Sequence, residues 1–365
     1  MHDLIVVGAG LAGLALAARA QQEGQEVAVI EARSRIGGRS LAHRTESGCY
    51  DLGPAWIWPS MQPRVARAAA AFGLRLHRQA DDGGFVFQDT DGAVQRLPHG
   101  FAQEPPSMRI EGGTTALAEG FAARLAPGTI RLGTRVEHLV LAADAVSVAA
   151  GETRLRARRV ALALPPRLAA AIGFEPALPA SALRQLEAVP TWMAGHAKAL
   201  AIYDTPVWRA SGLSGGAFSR CGPLGEIHDA SLPGAASEAA LFGFFAWPAA
   251  MRAARRATLE DAVRAQLAAL FGPAAGSPRA LLIQDWSADD LTATPADAPP
   301  LAGHPPYAPL ALPAPWHGRV LLSGSESAPE FGGYLEGALA AAEAAAAMNA
   351  QHGGGLPAAG AAVGR

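Results

Sequence analysis

The stretch DLIVVGAGLAGLALAARA, residues 3–20, decides the fold of this chain. Its opening DLIVVG is an apolar, β-branched run, typical of a strand whose two faces are both buried in a parallel sheet. The Ala- and Leu-rich residues that follow favour a helix, which ends at Gly24. Residues 25–32, QEVAVIEA, form the next predicted strand. A strand, turn, helix and strand in so short a span predict an α/β fold with a Rossmann-like unit.

The turn between the first strand and the helix has the pattern G-x-G-x-x-G, at Gly8, Gly10 and Gly13. The first glycine permits a tight turn, the second lets a pyrophosphate approach the backbone, and the third lets the helix pack on the strand. The helix N-terminus then offers free N–H groups to an anion. Glu31 ends the second strand, where an acid binds a ribose hydroxyl pair and repels the 2′-phosphate of NADP. These residues predict a dinucleotide site and leave NAD and FAD open.

Later segments carry a resemblance to a known family. EARSRIGGRS places Gly38 and Arg39 just past Glu31, and three further segments follow in order: YDLGPAWIWPSMQPRV, EGGTTALAEGFAARL and GSESAPEFGGYLEGALAAAEAAA. Together they resemble the flavin-dependent amine oxidases of the monoamine oxidase type. The resemblance implies an FAD-binding domain of Rossmann type, joined to a discontinuous, mixed α+β substrate domain.

The resemblance assigns cofactor contacts to residues spread along the chain. They are Gly8, Gly10, Leu11, Ala12, Gly13, Glu31, Ala32, Arg33, Gly38, Arg39, Gly53, Pro54, Ala55, Trp56, Val136, Trp286, Glu326, Gly333, Tyr334 and Leu335. It also implies that Trp58, Phe331 and Tyr334 line the substrate pocket, although each aromatic would serve equally as ordinary core. Some family members tether FAD through a cysteine, and residues 286–325 contain none, so the FAD is expected to be noncovalent.

Lys198, in the segment GHAKALAIY at residues 195–203, is the only lysine, and the other 29 residues in the Lys+Arg total are arginine. Lysine and arginine are not interchangeable at a chemical site, because a buried lysine can lose its proton. Two explanations require no function: the single lysine was kept by chance as the others became arginine, or it is a core lysine paired with an acid. The resemblance instead implies a catalytic Lys198 at the reacting edge of the flavin, where an ammonium stabilises developing negative charge.

The composition narrows the functional classes. The formal net charge is −2 and no basic block is present, so nucleic acid is not an expected partner. Two cysteines, Cys49 and Cys221, are too few for a disulfide framework or a zinc site, and we expect free buried thiols, no metal and a cytoplasmic location. No charge-free apolar run of membrane-spanning length is present, so no membrane anchor is predicted. No pattern specifies an oligomeric state.

The order of the segments predicts two interleaved domains. Residues 1–56, 107–168 and 283–350 are assigned to the FAD-binding domain, residues 57–106 and 169–282 to the substrate-binding domain, and residues 351–365 to a flexible tail.

The function that the resemblance implies is oxidation of a small primary or secondary amine. Hydride passes to flavin N5, the imine hydrolyses to an aldehyde or ketone, and O₂ is reduced to H₂O₂. Three alternatives stay open: a related amino-acid oxidase, dehydrogenase or desaturase, a non-catalytic flavoprotein, and an NAD-linked dehydrogenase. Arg109 and Arg64 are the arginines considered for a substrate carboxylate.

Overall fold

The computed structural model describes residues 1–100, 103–234 and 238–351, so the expected tail lies, apart from Gln351, outside the described residues. The strands are β1 His2–Val7, β2 Val27–Ile30, β3 Ala42–Arg44, β4 Cys49–Asp51, β5 Leu76–Arg78, β6 Gly84–Gln88, β7 Val94–Leu97, β8 Met108–Ile110, β9 Ile130–Arg131, β10 His138–Leu141, β11 Val146–Ala150, β12 Thr153–Leu162, β13 Gly173–Glu175, β14 Ala197–Tyr203, β15 Leu213–Ser219, β16 Leu224–Asp229, β17 Ala239–Phe245, β18 Ala280–Asp285 and β19 Val320–Leu322. The α-helices are α1 Leu11–Gln22, α2 Pro63–Ala71, α3 Thr115–Ala122, α4 Pro166–Ala169, α5 Ala180–Glu187, α6 Ala249–Ala254, α7 Leu259–Phe271 and α8 Leu335–Gln351.

The first sheet is built around β1, whose interior residues are fully buried because helices and loops cover both faces. Its strand order is β13-β10-β11-β12-β1-β2-β9, with β19 also paired to β12. The strands β2, β1, β12 and β19 run parallel, and the α1 crossover joins β1 to β2. One face packs against α1 and α8, in a core that contains Leu14 and Leu339. The predicted Rossmann-like unit is therefore present.

The second sheet has the order β18-β14-β17-β16-β15-β6-β7 and is mainly antiparallel. One face, including Ala199 and Ala201 of β14, packs with α7 residues such as Val263. The other face, including Leu200 and Phe242, packs against the segment that follows β4. This second face is turned toward the first sheet, and it carries Lys198 in the same alternation as Leu200.

Two of the predicted domain boundaries cut through structural elements. The boundary at 168/169 falls inside α4, and Gly173–Glu175 beyond it pairs in parallel with β10 of the first sheet. The boundary at 282/283 falls inside β18, which belongs to the second sheet over its whole length. Short strands such as β13 carry too little periodicity to be placed from the sequence. We propose the two sheets as the cores of the two domains, with the boundaries moved accordingly.

Other sequence expectations concern the cysteines and membrane segments. Cys49 is a buried free thiol as expected, whereas Cys221 is exposed because it lies in the turn between β15 and β16. Within the described ranges, none of the helices combines the length and apolarity needed to cross a membrane.

Candidate active site

A cavity of about 1150 Å³ lies between the two sheets. Its lining includes Val7, Ile30 and Ala163, which lie at or just past the carboxyl ends of β1, β2 and β12. Ligands of parallel α/β sheets bind at this edge. The cavity exceeds the roughly 300–1,000 Å³ typical of sites for drug-sized ligands. It is large enough for a dinucleotide together with a small second molecule.

The glycines of the first turn fit the three roles expected of them. Gly8 has φ +106°, and a Cβ there would lie 2.6 Å from Ala163 O. A Cβ on Gly13 would lie 2.0 Å from Gly8 O, so only glycine lets α1 pack this closely. A Cβ on Gly10 would meet nothing within 4 Å, and Gly10 lines the cavity. A substituent at Gly10 would therefore occupy the space in which a phosphate can approach the backbone.

The start of α1 is free to bind an anion. Gly10 is its N-cap residue, and no side chain caps the helix. Leu11 and Ala12, in the first turn, line the cavity. Their N–H groups belong to the first four of the helix, which lack partners within the helix and attract negative charge.

Glu31 is 6% exposed and accepts two backbone hydrogen bonds, from Ala9 N at 2.7 Å and Arg33 N at 2.8 Å. These bonds fix its carboxylate beside the glycine turn. An ionised carboxylate offers about four acceptor sites, so lone pairs remain for a ribose hydroxyl pair. Glu31 thus both shapes the turn and faces the cavity.

Arg39 forms an ion pair with Glu326, which is fully buried. Arg39 Nη1 donates to Glu326 Oε1 at 2.5 Å, and Nη2 donates to Glu326 Oε2 at 3.1 Å and to Ser325 Oγ at 2.9 Å. Burial alone would lower the pKa of Arg39, but the charge and hydrogen bond of Glu326 outweigh it and raise the pKa. Glu326, expected to contact the cofactor, does not line the cavity itself; its carboxylate is hydrogen-bonded to Arg39 and Ser325, which both do.

The segment after β4 forms one wall of the cavity at Gly53, Pro54, Ala55 and Trp56. A Cβ on Gly53 would lie 2.1 Å from Arg39 O, so this wall requires glycine where it passes the backbone of Arg39. The wall is tied to the neighbouring parts of the chain. Trp286 Nε1 donates to Leu52 O at 3.2 Å, and Trp56 Nε1 donates to Gln79 Oε1 at 2.8 Å.

Lys198 lies on this same side of the cavity and is only 2% exposed. Its Nζ donates to Gly53 O at 3.0 Å and lies 4.2 Å from the ring centre of Phe242. Burial lowers the pKa of the Lys198 ammonium to about 7; Asp51 opposes this shift, and Arg109 adds to it. Burial also raises the pKa of Asp51, despite the two nearby cations. The lysine is therefore poised to exchange a proton near neutral pH.

The second sheet aligns Lys198 with side chains that the sequence did not reveal. Lys198 pairs with Phe244 of β17, Phe244 with Glu226 of β16, and Glu226 with Phe218 of β15. Directly paired residues point to the same face of a sheet. All four line the cavity, so they form one row across its floor.

Aromatic side chains close the cavity near the start of α8. Tyr334 lines the cavity together with Trp192, whose ring centre lies 6.2 Å away. Burial raises the pKa of Tyr334. Phe331, expected in the substrate pocket, does not line the cavity; it lines a small recess with His304 and Tyr334, and its backbone is left-handed, with φ +51°.

The structure brings most of the predicted site residues to one cavity. Those that line it are Gly8, Gly10, Leu11, Ala12, Glu31, Ala32, Arg33, Gly38, Arg39, Gly53, Pro54, Ala55, Trp56, Trp58, Val136, Lys198, Trp286, Gly333, Tyr334 and Leu335. Gly13, Glu326 and Phe331 do not line it, and neither do Arg64 and Arg109. Arg64 instead pairs with Glu336 and Glu343 at the contact of α2 with α8.

In the described parts of the chain, no three or more His, Cys, Asp or Glu side chains are arranged to hold a metal ion.

Comparison with known proteins gives family and fold. The family model described as flavin containing amine oxidoreductase matches residues 101–348, and a model described as an NAD(P)-binding Rossmann-like domain matches residues 6–72. A Mycobacterium tuberculosis protein that carries the name of a flavin-containing monoamine oxidase, AofH, is 27% identical over 94% of this chain and 96% of its own length.

Two further relatives are more distant. A putrescine oxidase of Kocuria rosea is 24% identical over 62% of this chain and 70% of its own length. The solved structure of cyclohexylamine oxidase from Brevibacterium oxydans IH-35A superimposes with a TM-score of 0.80 at 21% identity, covering 96% of this chain and 99% of that one. At this identity, the superposition shows a shared fold.

Proposed function

This chain belongs to the family of flavin-containing amine oxidoreductases, and on that premise we propose that it is an oxidase of small primary or secondary amines that binds FAD noncovalently. The observation that carries the proposal is the placement of Lys198. Its ammonium nitrogen contacts the Gly53 wall of a cavity whose other end is a glycine turn and a free helix N-terminus. The cavity therefore offers an anion site and a lysine of lowered pKa within one enclosure.

The residues present fit FAD. The open side of Gly10 and the N–H groups of α1 suit a pyrophosphate, and Glu31 suits a ribose. When bound, FAD would supply the redox chemistry: it accepts a hydride from the carbon beside the amine nitrogen, giving an imine, and its electrons pass to O₂, giving H₂O₂. The described lining contains no cysteine, which supports noncovalent binding, and heat-denatured protein should release the yellow colour into the supernatant.

The chain's own residues would orient the amine and control its surroundings. Trp56, Trp192, Phe244 and Tyr334 line the cavity and exclude water from it. Lys198, buried with its Nζ at Gly53 O, would hold a proton next to the reacting centre and stabilise negative charge that develops there. His196 and Glu226 also line the cavity, but burial lowers the pKa of His196 and a carboxylate is a weak base, so we propose that the amine reacts in its neutral form.

Amines fit the cavity better than amino acids do. A substrate carboxylate would need a free cation, and the arginines of the described lining are each paired: Arg33 with Asp289, Arg39 with Glu326 and Arg135 with Asp290. Lys198 has no acidic ion-pair partner in this lining, but its pKa of about 7 leaves it largely uncharged above neutral pH. The carboxylate of Glu226 on the cavity floor would also repel a substrate carboxylate.

Peroxide release tests the proposal. The purified holoenzyme in air is offered a panel of primary and secondary alkylamines and, in parallel, a panel of L-amino acids. We expect H₂O₂ with the amines and little with the amino acids. Turnover of amino acids alone would assign the cavity to amino-acid oxidation, and no peroxide from either panel would refute oxidase activity.

The titration of Lys198 gives a prediction for pH dependence. Burial holds the pKa of Lys198 near 7, below the 10.5 of a solvated lysine, so its charge is present below about pH 7 and lost above it. If that charge assists the reaction with O₂, the rate of this half-reaction falls as the pH rises through about 7. Stopped-flow oxidation of the amine-reduced enzyme measures this step apart from the titration of the amine.

A variant at Arg109 tests whether Lys198, and not another titrating group, causes the pH dependence of the reaction with O₂. Arg109 helps to lower the pKa of Lys198. In Arg109→Met, the pH at which the rate of reaction with O₂ begins to fall should therefore be higher than in the unmutated protein. A pH-independent rate in the unmutated protein, or a fall that Arg109→Met leaves at the same pH, would count against the role of the Lys198 charge.

A further inference from the structure

The floor of the cavity carries a second charge, opposite in sign to Lys198. Lys198, Phe244 and Glu226 occupy one row on three adjacent strands, β14, β17 and β16. Adjacent strands lie about 4.8 Å apart, so roughly 10 Å separates the Cα atoms of Lys198 and Glu226. Both side chains line the cavity, with the ring of Phe244 between them.

One oxygen of the Glu226 carboxylate is held by a hydrogen bond, and the other is available to a ligand. Its Oε1 lies 2.7 Å from His228 Nε2, and its side chain is 38% exposed. Its Oε2 has no hydrogen-bond partner among the residues that the structure describes, and an ionised carboxylate accepts several hydrogen bonds. His228 is itself fixed, because its ring lies 4.7 Å from Trp56 and stacks on Phe242 at 5.3 Å.

The surroundings of Glu226 suit an alkylammonium group. Phe218 and Phe244 are its direct neighbours on the two adjoining strands, and both line the cavity. Aromatic faces attract cations, and a carboxylate adds a charge-assisted hydrogen bond. In an amine substrate, the alkyl chain would pack along the rings while a terminal ammonium reaches the acid.

We propose that Glu226, held in position by His228, forms a subsite for a second, positively charged amino group, so that the preferred substrates are short diamines. This inference rests on the proposed function. The nitrogen that reacts near Lys198 must be neutral, since two cations would repel each other there. The distal nitrogen is free of that constraint and stays protonated against Glu226. A monoamine of the same length would leave Glu226 without this ion pair.

The test compares substrates that differ only in the distal group. Putrescine and n-butylamine have the same carbon chain, and kcat/KM is measured for both with the unmutated holoenzyme, Glu226→Gln and Glu226→Leu. A hydrogen bond to a charged group is worth about 10- to 150-fold in binding. We therefore expect the unmutated enzyme to favour putrescine by about this factor, and both variants to lose the preference. Glu152→Gln, an exposed site in the turn between β11 and β12, removes the same charge away from the cavity as the control.

The outcomes distinguish the diamine subsite from the proposed oxidase function. Loss of putrescine turnover in both Glu226 variants, with n-butylamine turnover and FAD content kept, supports the subsite. Equal kcat/KM for the two amines in the unmutated enzyme, or an equal loss for both amines in the variants, overturns it. Failure of every amine with every protein would instead refute the proposed function, which keeps the two hypotheses apart.

Discussion

Lys198→Met is expected to slow the reaction with O₂ by about 10²- to 10³-fold, the usual cost of removing one group that stabilises developing charge. Methionine has similar length and carries no proton to donate. Because the lysine is buried and its only described hydrogen bond is to Gly53 O, the variant should fold and keep its FAD. Stopped-flow absorbance after anaerobic reduction gives the rates of both half-reactions.

A neighbouring residue supplies the control for this prediction. Gln284 pairs with Lys198 across β18 and β14 but does not line the cavity. Gln284→Met alters the same part of the sheet and should leave both half-reactions unchanged. Unchanged rates in Lys198→Met would show that the lysine is structural, and equal losses in the two variants would attribute the effect to the sheet.

Arg39→Met is expected to lower the thermal unfolding midpoint by several degrees and to weaken FAD retention. Removing one partner of a buried ion pair leaves an uncompensated charge and typically costs about 3–5 kcal/mol. Here the abandoned charge would be Glu326, whose side chain is fully buried. Because Arg39 also lines the cavity, its loss removes a cation from the cofactor site. Differential scanning fluorimetry and the ratio of flavin to protein absorbance measure the two effects.

Two controls isolate the buried pair. The double variant Arg39→Met/Glu326→Gln removes the stranded charge and should recover part of the lost stability. Arg75→Met breaks the exposed pair with Glu111, where solvent screens both charges, and should leave the midpoint unchanged. If Arg39→Met behaves like Arg75→Met, the ion pair with Glu326 contributes nothing to the fold.

The nucleotide end of the cavity could be predicted because it depends on short-range spacing. The glycine turn and Glu31 are encoded within one β-α-β unit, and their geometry follows from helix and strand periods. The family was predicted from the same turn together with the segments around Arg39 and Tyr334, and the family models that match confirm it.

The floor of the cavity could not be predicted because it depends on strand register. Glu226 lies opposite Phe244, and Phe244 opposite Lys198, only because three separate strands pair in one register. A shift of one residue would turn each side chain to the other face. Nothing local to β16 marks Glu226 as a cavity residue.

Two residues that the resemblance assigned to the site lie outside the cavity lining. Phe331 lies two residues before Gly333 in a segment that resembles the flavin signature, but it has a left-handed backbone and lines the small recess beside Tyr334. Glu326 does not line the cavity and is the buried ion-pair partner of Arg39, which does. Neither a backbone reversal nor an ion pair over so long a sequence separation is visible in a short motif.

The most direct test of the account is anaerobic flavin bleaching. The purified protein should be yellow, and an alkylamine added without oxygen should bleach its flavin absorbance, which returns when air is admitted. A colourless protein that takes up no added FAD, or a yellow one whose spectrum no amine changes, would contradict the account.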